Sequence, residues 1–284
     1  MKLIVQKYGG TSVADASAIK KAASKVIKTK EEGNSVVVVV SAMGSRTDDL
    51  INLAVELTDD PAPREMDMLL STGERETMSL MAMYLKNQGY DAISLTGSQA
   101  GIITTSKHGQ AEIEEITGDR VREGLDKGQV VIVAGFQGFN RDTREITTLG
   151  RGGSDATAVA LAASLDADVC EIYTDVRGVF TSDPRIVNKA KLIKEITYDE
   201  MLEMSSSGAK VLMARSVEFG RRYNVPIKVS STFLDEEGTI VKDKVMEQAI
   251  ISGVTHNDEE IKFTLFGVPD QPGIAAKVFK PLSE

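Results

Sequence analysis

The chain has 284 residues, 42% hydrophobic and 26% charged, with a formal net charge of −9 at pH 7, enough to bury one large core or two smaller ones. The negative balance argues against nucleic acid as the main partner, because phosphate backbones demand a basic face. No apolar run approaches the ~20 residues of a membrane span or the pattern of a signal peptide, and the single cysteine, Cys170, excludes a disulfide framework and a cysteine zinc site, which suits a reducing cytoplasm.

Residues 3–7 form a short buried strand, and Ala16, Ile19, Ala23, Val26 and Ile27 then recur at helical spacing up to Gly33-Asn34. Between them lies Lys7-Tyr8-Gly9-Gly10-Thr11-Ser12. The phosphate-loop pattern GxxxxGK[ST] is absent, since here the lysine precedes the glycines. A lysine at the end of a buried strand cannot easily bury its charge unpaired. It reaches the rim, pairs with an acid, or meets a phosphate held by loop N–H groups and a helix N-terminus. The stretch alone leaves these readings open.

Residues 36–40 are an unbroken β-branched run, as expected of a central strand covered on both faces. The run empties into Ser41-Ala42-Met43-Gly44, by itself a plain turn. A helix over 48–57 follows, then the breaker at 59–63, and two helical stretches flank Ser71-Thr72-Gly73-Glu74. The simplest reading makes Ser71 and Thr72 a helix cap with Glu74 in the first turn; the other pairs Glu74 with an ammonium. Strands are predicted at 92–95 and 130–134, the latter ending in Gly135-Phe136-Gln137-Gly138, with a hairpin-like segment at 140–149.

Gly150-Arg151-Gly152-Gly153-Ser154-Asp155 precedes a helix over 156–165. Its glycines let a ligand approach the backbone, and Arg151 offers a planar fork to carboxylate or phosphate. The alternative is a flexible turn with Asp155 as N-cap. After a strand at 170–173 comes a turn-rich segment, 174–185, in which Phe180 and Arg185 could hold a base and a phosphate. Lys210, following Ser205-Ser206-Ser207-Gly208-Ala209, is a further phosphate candidate. His108 and His256 fall in polar loops and read as surface residues.

Alternating β and α elements with continuous apolar strands predict an α/β fold: an open, mostly parallel sheet with helices on both faces. Two strands, at 250–254 and 261–268, and a short helix at 274–279 suggest a second module. The expected division is therefore 1–245 and 246–284, the latter too small for a core of its own.

The stretches KYGGTSVAD, VVVVVSAMG, STGE, VAGFQG, GRGGSD, IYTDVRGVFTSDPRIV and SSGAKVL, in this order over roughly residues 1–245, resemble the aspartate kinases of the amino-acid kinase family. The tail FTLFGVPDQPGIAAKVF resembles the first half of an ACT domain, an α+β module that binds amino acids in these enzymes; by that resemblance the chain ends inside the first of two such modules. The resemblance implies ATP-dependent phosphorylation of the L-aspartate β-carboxylate to 4-phospho-L-aspartate, the first step towards lysine, threonine and methionine. It implies catalytic roles for Lys7 and Asp155. It places ATP against Lys7, Tyr8, Gly9, Gly10, Ser41, Ser154, Thr174, Asp175, Phe180, Asp183, Arg185 and Lys210. Aspartate falls to Thr47, Glu74, Arg151, Gly152, Gly153 and Ser154, with Glu74 on the ammonium and Arg151 on a carboxylate. No acidic cluster is evident, so Mg2+ is expected on ATP oxygens and water with little or no protein ligation. The resemblance further implies a homodimer or an α2β2 assembly with a regulatory subunit, Met246 lying near where such small subunits begin, and feedback by lysine, alone or with threonine.

Acetylglutamate, glutamate and UMP kinases share glycine-rich loops and an early lysine, but Glu74 and Arg151 suit a zwitterionic amino acid better. A non-catalytic amino-acid sensor is the competing class, and such a chain would be expected to lose Lys7 or Arg151.

Overall fold

The computed structural model describes residues 1–209, 211–244 and 252–255. Apart from 252–255, the expected second module at 246–284 therefore lies outside the described residues, as do Lys210 and His256. No helix among the described residues is long and apolar enough to cross a membrane.

Strand β1 (Leu3–Tyr8) forms the middle of an eight-stranded sheet. On one side it pairs in parallel with β2 (Ser35–Val40), which leads to β6 (Val130–Ala134) and the edge strand β3 (Ala92–Leu95). On the other it pairs in parallel with β9 (Val169–Thr174), followed by β11 (Ile227–Ser231). Two short strands, β12 (Thr239–Lys242) and β10 (Glu195–Thr197), run antiparallel to the rest at the far edge. The chain thus winds outward from β1 in both directions, and β1 marks the point where strand order reverses. In such sheets ligands bind outside the carboxyl ends of the strands at that point.

The all-valine run explains the sheet's centre. Val36 to Val40 are fully buried on alternating faces, each side chain contributing on the order of 1.5–3 kcal/mol relative to exposure. One face packs on α1 (Ala16–Glu31) and on α3 (Pro63–Asn87) through Ile19, Val26, Met81 and Leu85. The Asp15 carboxylate caps α1 by accepting from Ala18 N at 2.8 Å, which leaves that helix start unsuited to an anion. The other face packs on α5 (Gly153–Ser164) through Ala158, Val159, Leu161 and Ala162, and on α7 (Ala214–Tyr223) through Val217. The many alanines of α5 let a helix buried on nearly every side lie close to the strands. Shorter helices, α2 (Arg46–Leu57), α4 (Asp119–Asp126) and α6 (Tyr198–Ser206), complete the layers.

The structure departs from the expectations in three places. The two helical stretches around residues 71–74 are one 25-residue helix, α3, so Ser71 and Thr72 cap nothing. Their hydroxyls bond back to the carbonyls of Met68 and Leu69. The last helix of the glycine-rich motif begins at Gly153, with Gly152 as N-cap at φ 69°, so Asp155 sits inside the first turn and does not cap it. A second sheet of β4 (Ile102–Thr104), β5 (Ile113–Ile116), β7 (Gln137–Phe139) and β8 (Ile146–Thr148) has no counterpart in the sequence reading beyond the 140–149 hairpin. Strands of three or four residues are too short for period-2 alternation to register.

Candidate active site

Alternation along β1 decides which side chains reach the site. Tyr8 turns to the α1/α3 face, stacks on Tyr173 with ring centroids 4.9 Å apart, and is fully buried. Lys7 turns the other way, toward α5, and its Nζ lies 2.6 Å from Asp155 Oδ1, both side chains 11% exposed. The contact is an ion pair without hydrogen-bond alignment, since Oδ1 has no such partner. The ammonium lies over the turn that follows it: a Cβ built on Gly9 would sit 3.2 Å from Nζ.

The next loop closes on the same turn. Gly44 N donates to Gly10 O at 3.1 Å, and a Cβ on Gly10 would meet the carbonyl oxygens of Gly44 and Ala42 at 3.0 and 3.1 Å. Ser41 N donates to Tyr8 O at 3.0 Å. Gly73, in mid-α3, is demanded by the same loop, because its Cβ would stand 2.7 Å from that of Ala42. A glycine costs a helix interior about 1 kcal/mol; close approach of helix and loop is what it allows here.

That approach brings in Glu74, which is buried, its Oε1 accepting from Ala42 N at 3.1 Å. Its other oxygen, Oε2, is buried with no hydrogen-bond partner among the described residues. Burial pushes the carboxyl up to about 7, partly offset by its backbone hydrogen bonds. A half-satisfied carboxylate held this way suits an arriving cation.

Arg151 is exposed and free of ion pairs and hydrogen bonds to other described residues. The loop that carries it is tightly built: Gly152 adopts φ 69° against Met213, and a Cβ on Gly153 would meet Leu149 and Phe136 at 2.9 Å. Ser154 is buried against Gly135, where a Cβ would come within 2.8 Å of its Oγ. Thr47, half-buried, stands in the first turn of α2. No side chain caps α5, so the N-terminal dipole of a helix starting beside Lys7 is open to an anion.

Beyond the end of β9 lies a cavity of about 780 Å3, within the usual size of small-molecule sites. Thr174, Asp175, Phe180, Asp183 and Arg185 all line it, together with Ala209 and Val211, the chain neighbours of Lys210. Asp183 holds the Arg185 guanidinium by a two-pronged contact of 3.1 and 2.7 Å. Gly9 N donates to Tyr173 O at 3.3 Å, so cavity and Lys7 turn abut across the β1–β9 pair.

The sequence-predicted residues, Lys210 apart, thus lie on strand ends, loops and helices at one edge of one sheet. Sequence reasoning missed Gly73 and Gly135, whose role is only to let neighbours approach, and Asp67 with His108. His108, expected at the surface, places Nδ1 2.6 Å from the buried Asp67 carboxylate. No local signal marks such a pair, 41 residues apart in the chain.

The model of the amino acid kinase family matches residues 2–231. Across its whole length the chain is 58% identical to an aspartokinase of Mycolicibacterium smegmatis, of which it spans 68%. It is similar to the solved aspartate kinase from Synechocystis, at 51% identity and TM-score 0.76, over 85% of this chain and 40% of that one. It is also similar to E. coli aspartokinase III, solved in complex with aspartate and ADP (30% identity, TM-score 0.77, 86% of this chain and 65% of that one) and with lysine and aspartate (28%, 0.82, 99% and 74%). The chain therefore belongs to the amino acid kinase family and, within it, to the aspartokinases.

Proposed function

We propose that this chain carries the catalytic unit of an ATP-dependent aspartate kinase, transferring the γ-phosphoryl group to the β-carboxylate to give 4-phospho-L-aspartate and ADP. One observation carries the reading: Lys7, at the strand where the sheet reverses, pairs with Asp155 on the helix that follows the Arg151 loop, and its turn abuts β9, beyond which a nucleotide-sized cavity opens. The aspartokinase relatives support it, one of them solved with aspartate and ADP.

In this reading aspartate sits with its ammonium on Glu74 Oε2 and a carboxylate on Arg151, with Thr47, Gly152, Gly153 and Ser154 around it. ATP lies in the cavity with its base and ribose against Thr174, Asp175 and Phe180. Arg185, steadied by Asp183, and Lys210 meet its phosphates. The nucleophile has an unperturbed pKa of about 4 and needs no general base. What remains is alignment and neutralisation of equatorial phosphoryl charge. Lys7, the Gly9-Gly10 turn with the free Gly10 N–H, the Ser41 hydroxyl and the α5 N-terminus supply these. Asp155 holds Lys7 in place. Kinase chemistry on ATP implies a divalent cation, and we take it to be Mg2+. The described residues contain no group of three or more ligating side chains, so the phosphate oxygens and water would carry it, where it offsets phosphate charge.

We further propose residues 1–245 as the kinase unit and 246–284 as the start of an ACT module. The assembly would be a cytoplasmic dimer or an α2β2 complex, answering to lysine, alone or with threonine. An aspartokinase relative solved with lysine supports the effector assignment.

Hydroxylamine trapping of the acyl phosphate, with ATP and Mg2+, tests the central reading. Hydroxamate should form with aspartate. Activity on glutamate or acetylglutamate with none on aspartate would overturn it.

A further inference from the structure

Helix α3 carries a second buried carboxylate, Asp67, two turns before Glu74. Seven residues return a helix to nearly the same face, about 10 Å further along its axis. Asp67 is fully buried and makes four contacts with three residues from two other segments. Its Oδ2 lies 2.6 Å from His108 Nδ1, and Gly109 N donates to both of its oxygens at 3.1 and 3.3 Å. The Thr148 hydroxyl donates to Oδ1 at 2.5 Å.

Thr148 is the last residue of β8, three before Arg151. The two segments that Asp67 gathers also hold each other. Ala111 N donates to Thr148 O at 2.9 Å, and Gly150, at φ 72°, packs so closely on the Gly109 carbonyl that a Cβ would lie 3.1 Å from it. From α7, Arg215 donates to Leu149 O at 3.1 Å and to Ala111 O at 3.3 Å. Arg151 itself has no partner among the described residues to fix it. Its placement therefore rests on the backbone from Thr148 to Gly152.

We propose that Asp67 is a positioning residue for aspartate binding: it ties the Thr148–Arg151 backbone to α3, so that one rigid helix sets the spacing between Glu74 and Arg151. The inference rests on the aspartate-kinase reading above. Without the Asp67 contacts, the backbone carrying Arg151 loses its registration to Glu74. The two ends of a zwitterionic amino acid are then no longer met together, while Lys7 and the nucleotide cavity, on other elements, are untouched.

Steady-state kinetics on the full-length protein test this, with melting temperatures measured in parallel. Asp67→Asn should raise the aspartate KM at least tenfold, with kcat and the ATP KM within threefold of wild type. Thr148→Val, nearly isosteric, should raise the aspartate KM about fivefold, and Thr148→Ser, which keeps the hydroxyl, should stay within twofold. Because Asp67 acts through Arg151, Asp67→Asn should add less than twofold to the loss in kcat/KM for aspartate when Arg151 is already alanine. An unchanged aspartate KM in Thr148→Val and Asp67→Asn, or losses confined to kcat and melting temperature, would overturn the inference. Full additivity with Arg151→Ala would do the same. If Asp67→Asn fails to fold, Thr148→Val against Thr148→Ser decides alone. A wild-type protein inactive toward aspartate would instead overturn the functional reading, and the role of Asp67 with it.

Discussion

The two halves of the candidate site are built in opposite ways. Around Lys7 and Glu74 the loops are locked by close contacts that crowd out a Cβ at Gly10, Gly73 and Gly135, and the charged groups are nearly dry. Around the 174–185 segment the cavity is open, and its most prominent charge pair, Arg185 with Asp183, leaves the arginine side chain 87% exposed. The difference tells where energy can be spent on specificity. A dry, pre-set charge acts on a reacting group with little solvent screening and no reorganisation. An exposed pair is screened and contributes little by itself.

If that contrast is right, Lys7→Ala should have the largest effect. We expect kcat to fall by about 10³ or more, with the aspartate KM changed less than about threefold, because the charge serves the transferring group. A near-normal kcat in a coupled ADP-release assay would remove the distinction at its root.

Glu74→Gln comes next, with the aspartate KM rising roughly 10- to 100-fold, the range for a buried charge-assisted contact. The wild-type KM should also climb as pH falls below about 7, since protonating Glu74 removes its hold on the ammonium; Glu74→Gln should lose this dependence. Stability runs the other way. A carboxyl raised from 4.5 to about 7 in the folded state favours the ligand-free fold at low pH, and that contribution fades as pH rises through 7. The cost of ionising it in the fold is at most about 3 kcal/mol. Ligand-free wild type should therefore lose more melting temperature than Glu74→Gln between pH 5 and 8, and aspartate should narrow the gap.

Gly73→Ala probes the interlock itself. Despite better helix propensity, it should destabilise by about 1–3 kcal/mol in denaturant titrations, because the new methyl meets Ala42 at 2.7 Å. Ala42→Gly in the same chain should recover most of the loss; failure of that rescue would show that the loop is not held by this contact. The smallest effect belongs to Arg185→Ala, for which we expect the ATP KM to rise no more than about fivefold at unchanged kcat. A loss as large as that of Lys7→Ala would mean the open half is organised by its ligand, and the contrast would fail.

Much of this was legible in the chain. The parallel core could be read from the valine run, and the loops at its carboxyl edge from their Gly, Ser and Thr content. Seven motifs in order identified the aspartokinase resemblance; the amino acid kinase family match over residues 2–231 and the 58% identity to an aspartokinase bear it out. The short strands of the second sheet were not legible, nor was the single helix running through Ser71-Thr72-Gly73-Glu74, where local cap chemistry competed with a tertiary contact and lost. Sequence also offered the helix after Gly10 as one possible phosphate partner for Lys7. That helix is capped by Asp15, whereas α5, beside Lys7, has no side-chain cap.

By itself, then, the sequence determined which strands are central and which loops gather at their carboxyl edge, because burial on both faces and loop composition are written locally. Only the tertiary structure decided how those residues are held. Lys7 meets an acid 148 positions away, Glu74 is left with one bare oxygen, and Asp67 ties three segments together. Such contacts depend on where a helix crosses a sheet, and no local pattern records a distance between chain-distant side chains.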